Sequence, residues 1–425
     1  MVCVSLLVSA WLPAADSQQE ASAFVVMNAV SGRVLMQRAA HQKMYPASTT
    51  KIATLAYVVS TAGLDLNQQL VVPAEAVRAV SVGEKSRDNF SKYPAYILEA
   101  GASSMAGFKA GEVIRLQDAL HGAMLCSGND AANTLAYYWG KGSIDVCVEG
   151  INRLVEAIGC QNTRFVNPHG LHHPCHVSTA YDLALIARYA MQTPLFRSIV
   201  KTTTYTKECT NKQPAVTWQQ TNKLLIQGPY HCERATGIKT GYTGLAQHCL
   251  VASGETADRS IIVVLLHCPD RKHMFLAAKK LLERFLSEEK VHHTVVEKGS
   301  VQLKREIEGQ KAPLALTSPR ECAVAFYPSE QPELRAVVEW KELRFPVEPG
   351  HEIGVVHVFA DDHEVDAVPL LASEHRDTTW SQRWLSARSA LKENRGGVVV
   401  AVLILGALIG FASFFRSASR RGYPR

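Results

Sequence analysis

The chain has no long tract of Lys or Arg. Its 45 basic and 39 acidic residues leave a net charge of only +6 over 425 residues. That balance excludes the usual basic footprint of a nucleic-acid-binding protein. It also has no Lys or Arg before Arg33, so the N-terminus lacks the basic start of an export signal. The other parts of such a signal are there. Val2 to Leu12 is apolar and of the right length, and small residues follow at Ala14, Ala15, Ala21 and Ala23. We expect residues 1–23 to be a signal peptide; the competing expectation is a buried N-terminal strand. No His-Glu-x-x-His pattern occurs either. His169, His172, His173, His176 and Cys175 fall within eight residues and have the chemistry of zinc ligands. Pro174 breaks any helical face among them, and the expectation is an ordinary loop with no metal and no other cofactor.

What is present is material for a large core and a second domain, at 47% hydrophobic content. Ser48 stands in Tyr45-Pro46-Ala47-Ser48-Thr49-Thr50-Lys51, just before the apolar run from Ile52 to Val59. Pro46 suits the start of a helix, because it fixes φ and has no N–H to lose. Ser48 then sits in the first turn, and Lys51, three residues on, shares its face. A serine hydroxyl is a weak nucleophile until a base takes its proton, and a lysine kept neutral by desolvation can be that base. The helix N-terminus favours negative charge developing beside it. Ser-x-x-Lys alone is a poor signal, since the spacing recurs at Ser198/Lys201 and Ser389/Lys392. Only the Ser48 pair is followed by Ser127-Gly128-Asn129 and then Lys239-Thr240-Gly241, tripeptides that each occur once.

The coarse organisation follows from pattern. Phe24–Asn28 and Arg33–Met36 flank a turn and predict a hairpin. Residues 81–107 are rich in Gly, Ser and charge and read as a long surface loop. Glu112 to Met124 has helical spacing, and Ala132 to Ile158 is helical with breaks near Gly140 and Gly142. Cys249–Ser253 and Ser260–Leu266 predict strands, and Arg271 to Glu288 a long amphipathic helix. Strands at both ends with helices between imply one antiparallel sheet completed by the two chain ends. The catalytic domain is thus expected over 24–289. From 290 to 373, runs such as Leu334/Ala336/Val338/Trp340 and Ile353/Val355/His357/Phe359 alternate with mostly polar residues, which predicts a small all-β domain.

The C-terminus has a different character. Over 374–397, Trp380, Trp384, Ala387 and Leu391 fall on one helical stripe with Arg383 and Arg388 off it, as suits a membrane surface. Residues 398–415 are uncharged, nearly all apolar and just long enough to span a bilayer. Arg416, Arg420, Arg421 and Arg425 follow, so the tail 416–425 is expected in the cytoplasm and the body outside it.

Four stretches carry a family likeness: Pro46-Ala47-Ser48-Thr49-Thr50-Lys51, Ser127-Gly128-Asn129-Asp130-Ala131, Phe165-Val166-Asn167-Pro168-His169-Gly170-Leu171, and Gly237-Ile238-Lys239-Thr240-Gly241-Tyr242-Thr243. On these, the chain from Phe24 to about Ser373 resembles the serine-type D-alanyl-D-alanine carboxypeptidases, the low-molecular-mass penicillin-binding proteins. The resemblance implies an α/β (α+β) β-lactamase/transpeptidase-like catalytic domain with an antiparallel sheet flanked by helices. It also implies a β-rich second domain and a C-terminal membrane anchor, here a transmembrane helix. The implied reaction removes the terminal D-alanine from peptidoglycan stem pentapeptides, with β-lactams as inhibitors and a body on the periplasmic side of the inner membrane. Carried over by motif, Ser48 is the acylated nucleophile, Lys51 its base and Ser127 a proton relay. Asn129 holds the substrate backbone, Lys239, Thr240 and Gly241 bind its carboxylate end, and the N–H groups of Ser48 and Tyr242 form an oxyanion hole. The loop from about Val82 to Gly101 is longer than the family implies. Ten cysteines, nine without Cys3, leave pairing open, and Cys126 reads as a small packed residue rather than a nucleophile. The rival readings are a β-lactam hydrolase on the same fold and a membrane-anchored wall-binding protein.

Overall fold

Strand Ser260–Cys268 sorts its side chains between two cores. Ile261, Val263 and Leu265 join one apolar cluster, and Ile262, Val264 and Leu266 join another on the opposite face. Successive side chains of a strand point to opposite faces, so a strand this apolar throughout must be covered on both sides. In the computed structural model, which describes residues 3–5, 21–85, 92–308 and 310–377, it is the centre of a five-stranded sheet. With β1 (Ala23–Asn28), β2 (Val34–Arg38), β7 (Ala235–Thr243), β8 (Gln247–Glu255) and β9 (Ser260–Cys268), the order is β7-β8-β9-β1-β2, antiparallel throughout. The two chain ends of the unit do meet in one sheet, and β7 forms its edge.

One face of the sheet is covered by α7 (Arg271–Leu286), through Met274, Phe275, Leu282 and Phe285. The other carries the helical layer: α1 (Lys51–Val59), α2 (Leu116–Met124), α3 (Asn129–Trp139), α4 (Ile144–Ala157), α5 (Ala180–Ala190) and α6 (Pro194–Lys201). All of α1 is buried except Tyr57. A helix apolar nearly all round belongs in an interior, and this one brings Ser48 to the middle of the unit. Asn129 and Asp130 open α3, so the second motif also lies at a helix N-terminus.

Two local expectations fail. Residues 81–107 are not simply a surface loop. Tyr96, Ile97, Leu98 and Ala106 are buried, and Leu98–Glu99 pairs with Ala79–Val80. Nor is Glu112–Met124 all helix. Val113–Arg115 is a strand, β4, paired with β3 (Gln69–Val71), as β5 (Thr204–Lys207) pairs with β6 (Val216–Gln219), and the helix starts only at Leu116, where Asp118 takes the N–H of Arg115.

The first unit ends at Glu289, and the second comprises the chain from Lys290 together with the N-terminal strand Cys3–Ser5. The second unit holds β10 (Val291–Val296), β11 (Gly299–Arg305), β12 (Leu314–Ser318), β13 (Cys322–Phe326), β14 (Leu334–Trp340), β15 (Glu352–Ala360) and β16 (His363–Ala372). The short strand Cys3–Ser5 adds to the edge of β14. In β15 the alternation slips at a bulge between Glu352 and Gly354, so Val356 and Val358 face inward. The expected inward set of Val355, His357 and Phe359 is only half-buried. Arg376 still pairs with Val347, three residues past the expected boundary at 373. At the other end, Ala21 and Ala23, inside the expected signal segment 1–23, pack in the cores on the two faces of the sheet.

Among the described residues no helix is long and apolar enough to cross a membrane. The expected span 398–415, its basic tail and most of the segment 374–397 lie outside the described residues. Cys126, Cys147, Cys160, Cys175, Cys209, Cys232, Cys249 and Cys322 are free thiols. Cys147, Cys160, Cys232, Cys249, Cys268 and Cys322 are buried, Cys126 is half-buried, and Cys175 and Cys209 are exposed.

Candidate active site

Ser48 lies in a 3-10 turn, Ala47–Thr50, that runs directly into α1. Side chains three apart eclipse in such a turn. Lys51 Nζ accordingly stands 2.9 Å from Ser48 Oγ. The same Nζ donates to Asn129 Oδ1 at 2.6 Å and to the His169 carbonyl at 2.9 Å. A neutral amine has two protons and one lone pair. The partners of Nζ are two carbonyl-type acceptors and one hydroxyl, which can accept from an ammonium or donate to a neutral amine. Burial of Lys51, with the Lys239 ammonium next in importance, holds its pKa well below the usual lysine range. That shift favours the neutral amine, the form in which Lys51 can take the Ser48 hydroxyl proton.

The acceptor carbonyl of His169 is fixed by its loop. Asn167, fully buried, accepts from Gly170 N at 2.7 Å and donates to Leu171 O at 2.9 Å. Thr54 donates to Pro168 O at 2.6 Å. A Cβ on Gly170 would lie 1.8 Å from Ala47 O, so only glycine lets this loop touch the nucleophile's turn. His169 and His176, from the suspected metal cluster, use both ring nitrogens inside the fold. His169 meets Leu171 N and Tyr96 O, and His176 meets Val166 N and Thr50 Oγ1.

Asp130 was quoted in the motif without a role, and the structure gives it one. Its buried carboxylate accepts N–H bonds from Ala106, Gly107, Phe108 and Ala131. Burial pushes its pKa up, against the pull of those donors. The effect is to clamp 106–108 across the start of α3. Ser127, at φ +63, and Asn129, whose N–H goes to Ser104 O, sit at that junction.

On β7, Lys239 is fully buried, and burial pushes its pKa down to about 7. Its Nζ donates to Thr240 O at 3.0 Å. Thr240 Oγ1 donates to Thr221 Oγ1 at 2.8 Å, and Arg271 reaches Thr221 O at 3.2 Å. Thr221 and Arg271 were not anticipated, and nothing in their sequence neighbourhoods marks them. A Cβ on Gly241 would stand 2.9 Å from Ser48 N, so β7 passes the nucleophile at backbone contact. Tyr242 beyond it is mostly exposed, its ring 4.6 Å from that of His248. Cys126 donates its thiol to Gly122 O, and burial raises it to about 11. It is no nucleophile at neutral pH.

A serine hydroxyl on a desolvated lysine, beside a sheet edge carrying a second buried lysine, defines a serine enzyme of acyl transfer. Known proteins agree. Residues 11–269 match the family described as D-alanyl-D-alanine carboxypeptidase. The carboxypeptidase DacD of Salmonella typhimurium is 30% identical over 362 residues, 84% of this chain and 86% of that one. DacF of Bacillus subtilis is 26% identical over 365 residues, 84% and 85% of the two chains. Among solved structures, the Streptomyces K15 DD-transpeptidase aligns at 28% identity and a TM-score of 0.54, over 63% of this chain and 97% of its own. DacD of Francisella tularensis shares the fold at a TM-score of 0.57 over 88% of this chain, at 21% identity. The chain belongs to the D-alanyl-D-alanine carboxypeptidase family and is a serine-type peptidase of that activity.

Proposed function

We propose that the enzyme cuts the D-Ala-D-Ala bond of peptidoglycan stem pentapeptides through an ester on Ser48. Ser48 Oγ attacks the carbonyl between the two D-alanines as Lys51 takes its proton. Ser127 passes a proton to the leaving amine, and free D-alanine departs. Asn129 and the edge of β7 hold the peptide as an added strand. Lys239, Thr240 and, by its position beside Thr221, Arg271 meet the terminal carboxylate. The N–H groups of Ser48 and Tyr242 receive the oxyanion. The observation that carries the reading is the 2.9 Å contact of Ser48 with a Lys51 buried in full.

Water then has to hydrolyse the ester. Class A β-lactamases supply a glutamate for that step. The Asn167–Gly170 loop contains no acid and offers Lys51 a backbone carbonyl instead. Lys51 and Ser127 must serve both halves of the reaction. A departed D-alanine leaves room for water, whereas an opened β-lactam stays tethered in the cleft. Penicillin should therefore be held as a long-lived ester. Intact-mass spectrometry tests this. A persistent adduct on the wild type, absent from Ser48→Ala, is expected; rapid adduct loss with catalytic penicillin consumption would make the protein a β-lactamase. A wild type that never takes a label would be a wall-binding protein with a dead site.

We also propose export and anchoring, on the sequence of residues 1–23 and 398–425; removal of the signal would take with it the strand Cys3–Ser5 that edges β14. The body would face the periplasm, held by one C-terminal span. Release of the full chain from membranes by carbonate alone would sink the span.

A further inference from the structure

Behind the nucleophile runs a chain of hydrogen bonds that the reaction as described leaves unused. His176 is buried, its ring 5.1 Å from that of Phe165. Its Nδ1 accepts the Val166 N–H at 3.1 Å. An accepting ring nitrogen carries no proton, so the proton of the neutral ring is on Nε2. Nε2 lies 2.8 Å from Thr50 Oγ1 and donates to it. The Thr50 hydroxyl spends its own proton on the Ala47 carbonyl, at 2.8 Å. Every direction along His176, Thr50 and Ala47 is thereby fixed.

The end of this chain matters because of covalent geometry. The Ala47 carbonyl and the Ser48 N–H belong to one planar trans peptide, in which oxygen and hydrogen point opposite ways. Holding the oxygen aims the N–H. The peptide also needs holding, since Ala47 sits at φ +48, a conformation a non-glycine residue keeps only where its surroundings impose it. We propose that Thr50 and His176 are positioning residues that orient the Ser48 N–H as an oxyanion donor. The inference rests on Ser48 being the acylated residue. During attack the Oγ–C bond forms, the carbonyl electron pair moves onto oxygen, and that oxygen gains hydrogen bonds it did not have in the ground state. A misaimed donor therefore slows acylation and leaves prior binding alone.

The test uses the full chain, a fluorescent penicillin and a D-alanine-like boronic acid, whose tetrahedral adduct places an oxygen where the oxyanion forms. Thr50→Val removes the relay and keeps the shape. Acylation should slow roughly ten- to a hundredfold, boronate affinity should fall by the same factor, and the pre-covalent penicillin dissociation constant should not move. Thr50→Ser, which keeps the hydroxyl, should restore both. His176→Phe should reproduce the Thr50→Val defect, with the double variant no worse than either single one. Thr50→Val acylating at the wild-type rate, or losing pre-covalent binding instead, overturns the proposal. So does a Thr50→Ser as slow as Thr50→Val. If His176→Phe does not fold, the two Thr50 variants still decide. A wild type with no Ser48 adduct sinks the reading of Ser48 itself, a different failure from a normal wild type beside an unaffected Thr50→Val.

Discussion

Lys51 is the residue on which stability and chemistry pull apart. Burial, and next the Lys239 ammonium, depress its pKa in the folded protein well below the usual lysine range, whereas the unfolded chain keeps it protonated up to the usual lysine value. The unfolded state then binds one more proton, so stability rises with pH across that interval. Against Lys51→Met, which has no proton to lose, the wild type should gain up to about 1.4 kcal/mol per pH unit between its depressed folded pKa and the usual lysine value. Urea unfolding at several pH values measures this, and parallel curves would mean a charged Lys51. Lys239 gives the opposite sign in activity. In the proposed reading it meets the substrate carboxylate as an ammonium, and with its pKa pushed down to about 7 that form is lost as pH rises. The ratio kcat/KM for a free-acid peptide should fall above about pH 7, while an amidated peptide shows no such limb. Lys239→Ala should erase the difference between the two peptides; an equal loss on both removes Lys239 from this role.

At the scale of elements, the site is a junction of pieces held by few bonds. Asp130 ties residues 106–108 to α3 through three N–H bonds. Asp130→Ala strands buried N–H donors, each worth about 1–3 kcal/mol when unmet. It should lower the thermal midpoint by many degrees, and acylation should suffer with it through Ser127 and Asn129. Retained stability would show that another contact carries the clamp. What the sequence revealed at this scale tracks the range of the interaction. Ser48 and Lys51 pair within one turn, so their spacing was enough. Thr50 and His176 lie 126 residues apart, and Thr221 and Arg271 50 apart, with no local pattern to link them. The region 81–107 is polar in composition, yet Tyr96 to Leu98 pack into the core because residues from elsewhere in the fold cover them. In β15 a bulge moved the buried face by one residue, which alternation alone cannot report.

For the whole molecule, the two units differ in what they owe to each other. The Streptomyces structure aligns over 97% of its length with only 63% of this chain, so the fold of the catalytic unit exists without a second domain. Residues 21–289 alone should fold and be acylated by penicillin at close to the full-chain rate, as a stopped-flow label would show. A fragment that aggregates or stays unlabelled would make the second unit a folding requirement. If the chain is exported as proposed, buried thiols such as Cys147 and Cys249 bear on how it reaches that state. Burial raises Cys147 and Cys249 to about 12, which leaves almost no thiolate to react. That protection exists only once the interior has closed. A chain delivered unfolded into an oxidising space carries all its thiols open to cross-linking, and each wrong bridge traps it. Speed of collapse is then a chemical safeguard: a variant that folds slowly but to the same final stability would be lost to scrambled disulfides, a penalty that no measurement on the finished protein would reveal.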